Sequence, residues 1–167
     1  LGNTISEIAK EKAGIIKSKV PCLWCGDDKT ALSVIENCAK TLCAPLFYPY
    51  KEKLNVISYT LNGTYFDYDE YKNMFVNLLG TFQPFNAINV ISATKILNSL
   101  GISISEDNIR KGLERVIWHA RFEILCHNPL FIYDGGHNYE GAAAAVNSIK
   151  HYFGNKKVIV INGIMKD

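Results

Sequence analysis

The sequence predicts an α/β fold, and three patterns indicate it. Near the carboxyl end, an apolar run, a glycine-rich turn, an alanine-rich helix and a second apolar run follow one another, as in a βαβ unit. Apolar residues recur at helical spacing in several other segments. The pair Asn62-Gly63 lies between two runs rich in β-branched and aromatic residues, which is the strongest local signal for a β-hairpin.

The composition is that of an ordinary globular chain and excludes some functions. Its 167 residues, 48% of them apolar, can bury a core. A net charge of +2 is too small to indicate binding to nucleic acid or to an acidic membrane. No apolar stretch reaches the length of about 18 residues that a membrane span needs, and we expect no signal peptide. The abrupt start at Leu1 leads us to expect a piece of a longer polypeptide.

The first third of the chain predicts alternating helices and short strands. Thr4 and Glu7 have capping-box spacing, so we expect a helix that ends at Gly14. The run "VPCLWCG" predicts a strand, the spacing of apolar residues over 30–41 predicts a helix, and "PLFYPY" predicts another short strand.

The middle of the chain predicts a hairpin followed by helices. The hairpin has its turn at Asn62-Gly63, and "MFVNLLG" after it is either a strand or one helical turn. A helix is expected after Pro84, with Gly101 as its end, and Ser105 opens a further helix.

The last third predicts a new sheet. Two strands joined at Asn128-Pro129 lead into a helix that ends at Gly154. The run "KKVIVINGI" is apolar throughout, which is typical of a parallel strand buried on both faces. We therefore predict two domains, 1–118 and 119–167, with the boundary between Trp118 and His119.

Five cysteines occur, an odd number with irregular spacing. Cys22 and Cys25 have the spacing of a metal or redox pair, but no second pair lies at finger spacing. We expect the cysteines to be small buried core residues of a reducing compartment. A redox or metal protein built on Cys22 and Cys25 is the alternative.

The segment Asp134–Asn138 is the main candidate site. A strand-like run delivers Asp134 to the carboxyl edge of a sheet, where α/β proteins bind ligands. The two following glycines allow a sharp turn, and the next helix presents its N-terminal N–H groups to an anion such as phosphate. The alternative is that Asp134 and Asn138 only cap that helix. The segment lacks the G-x-G-x-x-G fingerprint, so dinucleotide binding fits poorly.

Three more residues are candidates, each with a plainer alternative. Lys12, beside Glu11, either contacts a metal or phosphate or is a solvent-exposed lysine at the C-terminal end of its helix. Asn86 binds a ligand or caps its helix. Arg121, at the predicted domain junction, reaches a phosphate across a cleft or forms a surface ion pair.

Several stretches together resemble the folylpolyglutamate synthase and dihydrofolate synthase family, within the Mur-ligase-like ATP-dependent amide ligases. They are "LGNTISEIAKEKAGIIK", "FQPFNAINVISATKIL", "HARFEIL", "IYDGGHNYEGA" and "VINGIMKD", in family order along nearly the whole chain. Three positions depart from the family pattern: His119 stands where proline is common, Ala120 where glycine is usual, and Gly136 where alanine is usual.

The resemblance implies a fold and an activity. The fold is the C-terminal part of a Mur-ligase-type P-loop ATPase domain, followed by the start of a Rossmann-like C-terminal domain. The family's phosphate loop and a metal-binding histidine are expected before Leu1. The activity is ATP-dependent ligation of L-glutamate to a folate or dihydropteroate carboxylate through an acyl phosphate. Another Mur-type amino-acid ligase and a non-catalytic nucleotide-binding module are the alternatives.

The resemblance also implies the cofactors and two of the residue roles. ATP and Mg²⁺ are expected, and a monovalent cation such as K⁺ is a further candidate. Lys12 matches a lysine that is carbamylated and helps to hold Mg²⁺, with Glu11 as a weaker candidate. Asn86 matches an asparagine that contacts adenine.

The remaining roles fall in the last third of the chain. Arg121 matches an arginine that reaches the ATP phosphates, and Asp134 an aspartate that binds the nucleotide near the ribose. His137, with Asn138, faces the place where glutamate enters. We count Lys12 and His137 as catalytic, and Asn138 with Asn86, Arg121 and Asp134 as cofactor-binding. We further expect a monomer in the cytoplasm or an organelle, with no nucleic-acid or membrane partner.

Overall fold

The structure is a computed structural model that describes residues 2–163. Its helices are α1 Ile5–Ala13, α2 Lys29–Thr41, α3 Gln83–Ser99, α4 Glu106–Arg115 and α5 Tyr139–Phe153. Its strands are β1 Cys22–Leu23, β2 Leu46–Phe47, β3 Leu54–Thr60, β4 Gly63–Tyr68, β5 Tyr71–Val76, β6 Glu123–His127 and β7 Leu130–Tyr133. The predicted α/β class is confirmed.

The chain divides into two compact units. The first comprises 1–51 and 88–104, and the second comprises 52–87 and 105–167, so the division falls within α3. The functional domain boundary between Trp118 and His119 stays a prediction.

The first unit contains α1 and a short β1–α2–β2 crossover. Thr4 caps α1 in a complete capping box with Glu7, as the sequence predicts, and Gly14 ends the helix. Strands β1 and β2 pair in parallel, with Cys22 opposite Leu46. The core of this unit consists of small and branched side chains: Ala13, Ile16, Ile35, Ala39 and Ala44.

The second unit contains the predicted hairpin, extended by a third strand. Strands β3, β4 and β5 form an antiparallel sheet in that order, and Thr60 pairs with Gly63 beside the Asn62 turn. The "MFVNLLG" segment contributes to strand β5 and not to a helical turn. Phe66 and Met74 are fully buried on this sheet.

The last elements of the second unit are β6, β7 and α5. Strands β6 and β7 pair antiparallel, with Ile124 opposite Ile132. Helix α5 is anchored by Ser148, whose hydroxyl oxygen accepts a hydrogen bond of 3.1 Å from the Thr81 N–H. The ring of Tyr152 packs edge-on against Tyr59, with centroids 6.3 Å apart.

Two expectations are wrong. The strand expected over 156–164 is absent from 156–163, where Ile159 and Ile161 are 91% and 86% exposed, and Ile164 lies outside the described residues. A strand buried on both faces needs a neighbouring strand and two covering layers, and no segment within 2–163 pairs with it. The expectation of buried core cysteines is wrong for Cys43 and Cys126, which are exposed. The other three are half-buried, and Cys22 and Cys38 pack against the core of the first unit.

Candidate functional site

The turn Asp134–Asn138 connects β7 to α5, and Asp134 fixes its shape. One carboxylate oxygen, Oδ1, accepts a hydrogen bond of 2.8 Å from the Gly136 N–H. The other, Oδ2, accepts one of 2.9 Å from the Phe122 N–H. Asp134 therefore does not cap α5. It ties this turn to the residue that follows Arg121.

Asn138 is the N-cap of α5. Its Oδ1 accepts a hydrogen bond of 2.8 Å from the Gly141 N–H, and its backbone is extended. Gly141 permits this close packing, because a Cβ there would lie 2.9 Å from Asn138 Oδ1 and 3.1 Å from Gly136 Cα. The capping interpretation is thus right for Asn138 and wrong for Asp134. The amide Nδ2 of Asn138 keeps both of its protons for a ligand.

His137 is exposed, and its contact with the turn indicates its tautomer. Its Nδ1 lies 3.2 Å from the carbonyl oxygen of Gly135. A carbonyl oxygen only accepts hydrogen bonds, so we assign the proton of the neutral ring to Nδ1. The other nitrogen, Nε2, is then free to accept a proton.

Arg121 lies in the loop between α4 and β6, two residues before that strand. Its neighbours Ala120 and Phe122 both have left-handed backbones, with φ of 60° and 50°. The side chain of Arg121 is exposed, and within residues 2–163 its guanidinium makes no hydrogen bond or ion pair. The surface ion pair considered above is therefore not formed in this part of the chain.

A second carboxylate, Glu123, holds the same loop. Its Oε2 accepts a hydrogen bond of 2.8 Å from the Ala120 N–H, and its Oε1 lies 2.7 Å from His119 Nδ1. These donors, with Ala120 first, hold the pKa of Glu123 below its ordinary value. Glu123 belongs to the "HARFEIL" stretch, in which no local pattern indicates a role for it.

An open cleft of about 250 Å³ lies beside this loop. Arg121 and Glu123 line it together with apolar and polar side chains of the second unit, among them Trp118, Ile117, Asn62 and His127. Trp118 is 61% exposed, so an aromatic face and a guanidinium are both accessible there. Such a pair suits a planar or anionic ligand.

Asn86 lies on the first turn of α3 and is exposed. Its backbone N–H donates to Phe82 O, and its Nδ2 donates to Gln83 Oε1 at 3.1 Å. Asn86 is therefore inside the helix, and the expectation that it caps α3 is wrong. Its side-chain oxygen points to no partner within the described residues, which leaves an acceptor available.

Lys12 belongs to the first unit, whereas the other candidates belong to the second. It lies on the last turn of α1, is exposed, and makes no hydrogen bond or ion pair through its amine within residues 2–163. In that range no three His, Cys, Asp or Glu side chains group closely enough to hold a metal ion. An ammonium group does not bind Mg²⁺, so only a carbamate on Lys12 would fit this metal.

The cysteines offer no support for a redox or metal site. Burial raises the pKa of the Cys22 thiol, and the neighbouring Cys38 thiol raises it further. Burial likewise raises the pKa of Cys25, against a smaller opposite effect of Lys51. Because the thiolate is the reactive and metal-binding form, these environments make the thiols less reactive.

No helix in the described part of the chain is long and apolar enough to cross a membrane.

Known proteins match this chain over its full length. No family model matches. The Dihydrofolate synthase/folylpolyglutamate synthase of Bacillus subtilis is 34% identical over 100% of this chain and 40% of its own length. The solved folylpolyglutamate synthase of Thermotoga maritima superimposes with a TM-score of 0.79, at 34% identity over 92% of this chain and 37% of that one.

A third match is a solved complex. It contains FPGS, AMPPCP and folate, and it superimposes with a TM-score of 0.79 at 27% identity, over 93% of this chain and 39% of that one. The chain thus spans about 40% of the length of the curated relative from Bacillus subtilis.

Proposed function

The chain is homologous over its whole length to the folylpolyglutamate synthase and dihydrofolate synthase family, and from this we propose that it forms part of an ATP-dependent ligase. The ligase joins L-glutamate to a folate or dihydropteroate carboxylate. The solved complex with AMPPCP and folate supports ATP and a folate as the ligands. The observation that carries the proposal is the exposed Arg121 guanidinium on a loop tied to the Asp134 turn.

The reaction has two steps. A carboxylate oxygen of the acceptor attacks the γ-phosphorus of ATP, which forms an acyl phosphate and releases ADP. The amine of glutamate then attacks the acyl carbon, the C–N bond forms, and inorganic phosphate leaves. The first step depends on positioning and on neutralising charge on the transferred phosphoryl group. Arg121 supplies a planar, permanently charged group suited to phosphate oxygens.

His137 and Asn138 serve the second step. The attacking amine of glutamate must lose protons, and Nε2 of His137 accepts one as a general base. The Nδ2 protons of Asn138 and the N-terminal end of α5 bind the carboxylates of glutamate. The cap formed by Asn138 Oδ1 keeps that amide in a fixed orientation.

Asp134 and Asn86 bind the nucleotide. Each carboxylate oxygen of Asp134 accepts one backbone N–H and retains a lone pair for a ribose hydroxyl. The free side-chain oxygen of Asn86 accepts a hydrogen bond from the exocyclic amine of adenine.

Lys12, as its carbamate, is the residue of this chain that would hold Mg²⁺, with Glu11 as its exposed neighbour. Carbamylation converts the ammonium into an anionic oxygen donor, and Mg²⁺ needs only one or two such donors besides phosphates and water. When bound, Mg²⁺ would neutralise charge on the triphosphate. A monovalent cation such as K⁺ is a further proposed cofactor. We also propose a monomer that works in the cytoplasm or an organelle.

The test is ATP-dependent incorporation of labelled glutamate by the intact protein that carries this sequence. Arg121→Ala is expected to lower kcat/KM by about a hundredfold or more, as the loss of one preorganised charge-stabilising group does. Arg115→Ala is the matched control, an exposed arginine on the last turn of α4, and should stay within about twofold of the unaltered enzyme.

The alternative, a non-catalytic nucleotide-binding module, predicts a different result. In that case replacing Asn138 with alanine removes only a helix cap and costs about 1 kcal/mol of stability. An intact protein that binds ATP but never forms a glutamate amide would contradict the ligase proposal.

A further inference from the structure

We propose that Glu123 is a positioning residue that, opposite Asp134, holds Arg121 ready for the phosphate. The inference rests on the proposed function and adds a residue for which sequence analysis gave no role. Glu123 does not touch the nucleotide in this proposal. It acts through the backbone on the N-terminal side of Arg121, and Asp134 acts on the C-terminal side.

On the N-terminal side, both oxygens of Glu123 are engaged. Oε2 accepts from the Ala120 N–H at 2.8 Å, and Oε1 meets His119 Nδ1 at 2.7 Å. The carbonyl oxygen of Ala120 accepts from the Gly135 N–H at 2.9 Å. The peptide groups of Ala120 are therefore bonded to a side chain in one direction and to the Asp134 turn in the other.

On the C-terminal side, Phe122 is held by its backbone and its ring. Its N–H donates to Asp134 Oδ2 at 2.9 Å. Its side chain is only 2% exposed and stacks on Tyr152, with ring centroids 5.9 Å apart and an interplanar angle of 27°. This anchor connects the loop to α5, the helix that carries Asn138 as its cap.

The loop needs such restraints because its backbone is unfavourable. Residues other than glycine rarely adopt positive φ, and both neighbours of Arg121 do so. A short segment of this kind persists only when its surroundings hold it there. Every restraint acts on the neighbours of Arg121, while its own guanidinium has no partner within residues 2–163.

This arrangement fixes the backbone from which the Arg121 side chain extends. An exposed arginine on a loose loop would sample many positions, and little of its charge would act on the transferred phosphoryl group. A misplacement of about 1 Å can cost a hundredfold in rate. The geometry points to Glu123 as the group that prevents this displacement at the N-terminal side.

The experiment is a double-mutant cycle in the intact protein, with kcat and the KM for ATP measured for Glu123→Ala, Arg121→Ala and the double variant. Glu123→Ala alone is expected to lower kcat/KM for ATP roughly ten- to a hundredfold. In the Arg121→Ala background the same change should alter kcat/KM by less than about twofold, because no arginine remains to be positioned.

Two further variants serve as controls. Glu123→Gln keeps an oxygen that accepts from the Ala120 N–H, so its kcat/KM should be close to that of the unaltered enzyme and well above that of Glu123→Ala. It also tests the inference if the alanine variant does not fold. Glu114→Ala, on the exposed side of α4, should leave kcat/KM unchanged.

Three results would overturn the inference. Losses from Glu123→Ala and Arg121→Ala that multiply would mean that Glu123 acts independently of the arginine. A Glu123→Gln enzyme as weak as Glu123→Ala would mean that the hydrogen bond to Ala120 is not what matters. Full activity of Arg121→Ala would overturn the role of that arginine in the proposed function, and Glu123 would then have nothing to position.

Discussion

Replacing Ser148 with alanine should loosen the attachment of α5 and lower the stability of the intact protein. Ser148 is fully buried, and its hydroxyl oxygen accepts from the Thr81 N–H at 3.1 Å. The same hydroxyl donates to Ala144 O at 2.9 Å within the helix. Alanine would leave the Thr81 N–H without its partner.

The magnitude follows from two opposing terms. An unsatisfied N–H that is largely buried costs about 1–3 kcal/mol. Alanine recovers about 0.5 kcal/mol because it favours a helix more than serine does. The net loss is about 0.5–2.5 kcal/mol, which lowers Tm by about 1–10 °C at the roughly 2–4 °C per kcal/mol typical of 150–250 residues.

Ser33→Ala is the matched control. Ser33 also lies in a helix and donates to the carbonyl oxygen four residues earlier, Lys29 O at 3.0 Å, but it is exposed and accepts no tertiary bond. It should be neutral or slightly stabilising. The assays are thermal unfolding and hydrogen exchange, and exchange at the Thr81 amide should accelerate only in Ser148→Ala. If both serine variants melt alike and the Thr81 amide stays protected, the argument about Ser148 is wrong.

Three further predictions concern backbone conformation and charge. Ala120→Gly should raise Tm by about 2–4 °C, because the left-handed φ of 60° costs alanine about 1 kcal/mol more than glycine. An unchanged or lower Tm would show that the backbone strain at Ala120 is absent. Gly63→Ala should cost about 2 kcal/mol or more, because φ is 139° and a Cβ would lie 2.4 Å from Val76 O. Gly112→Ala, with no atom within 4 Å of the new Cβ, should instead gain about 0.5–1 kcal/mol, and equal melting of the two variants would contradict this. Finally, the pKa of Glu123 is lowered in the folded state, so its hydrogen bonds stabilise that state at pH values above the ordinary glutamate pKa of about 4.3. This stabilisation is lost as the pH falls through the folded-state pKa of Glu123. An NMR titration of its carboxyl group should have a midpoint below that of a free glutamate. A midpoint at or above that value would show that the hydrogen bonds from Ala120 and His119 do not stabilise the carboxylate.

Local patterns predicted most of the secondary structure. The capping box at Thr4, the hairpin at Asn62-Gly63 and the cap at Ser105 each involve residues close in sequence, and each is confirmed. Local patterns also predicted a buried strand over 156–164, and no strand forms within 156–163. An apolar run indicates a strand only if other strands pair with it, and pairing is not a local property.

In the candidate site, too, the sequence identified some features and only the structure revealed others. Residue types and their order identified Arg121, Asp134, His137 and Asn138, and the family resemblance that they carry is confirmed. Their functional roles stay predictions. No local pattern indicated that Asp134 would bind the backbone beside Arg121, because the two lie on different strands and loops.

The sequence by itself therefore determined the α/β class, nearly all helix and strand positions, and the resemblance to known proteins. These depend on periodicity, caps and turn residues within a few positions of one another. Only the tertiary structure decided that the Asp134 carboxylate accepts from the Phe122 N–H beside Arg121, twelve residues away. That contact depends on the left-handed backbone of Phe122 and on the antiparallel pairing of β6 with β7, which bring the carboxylate and the distant N–H within hydrogen-bond distance.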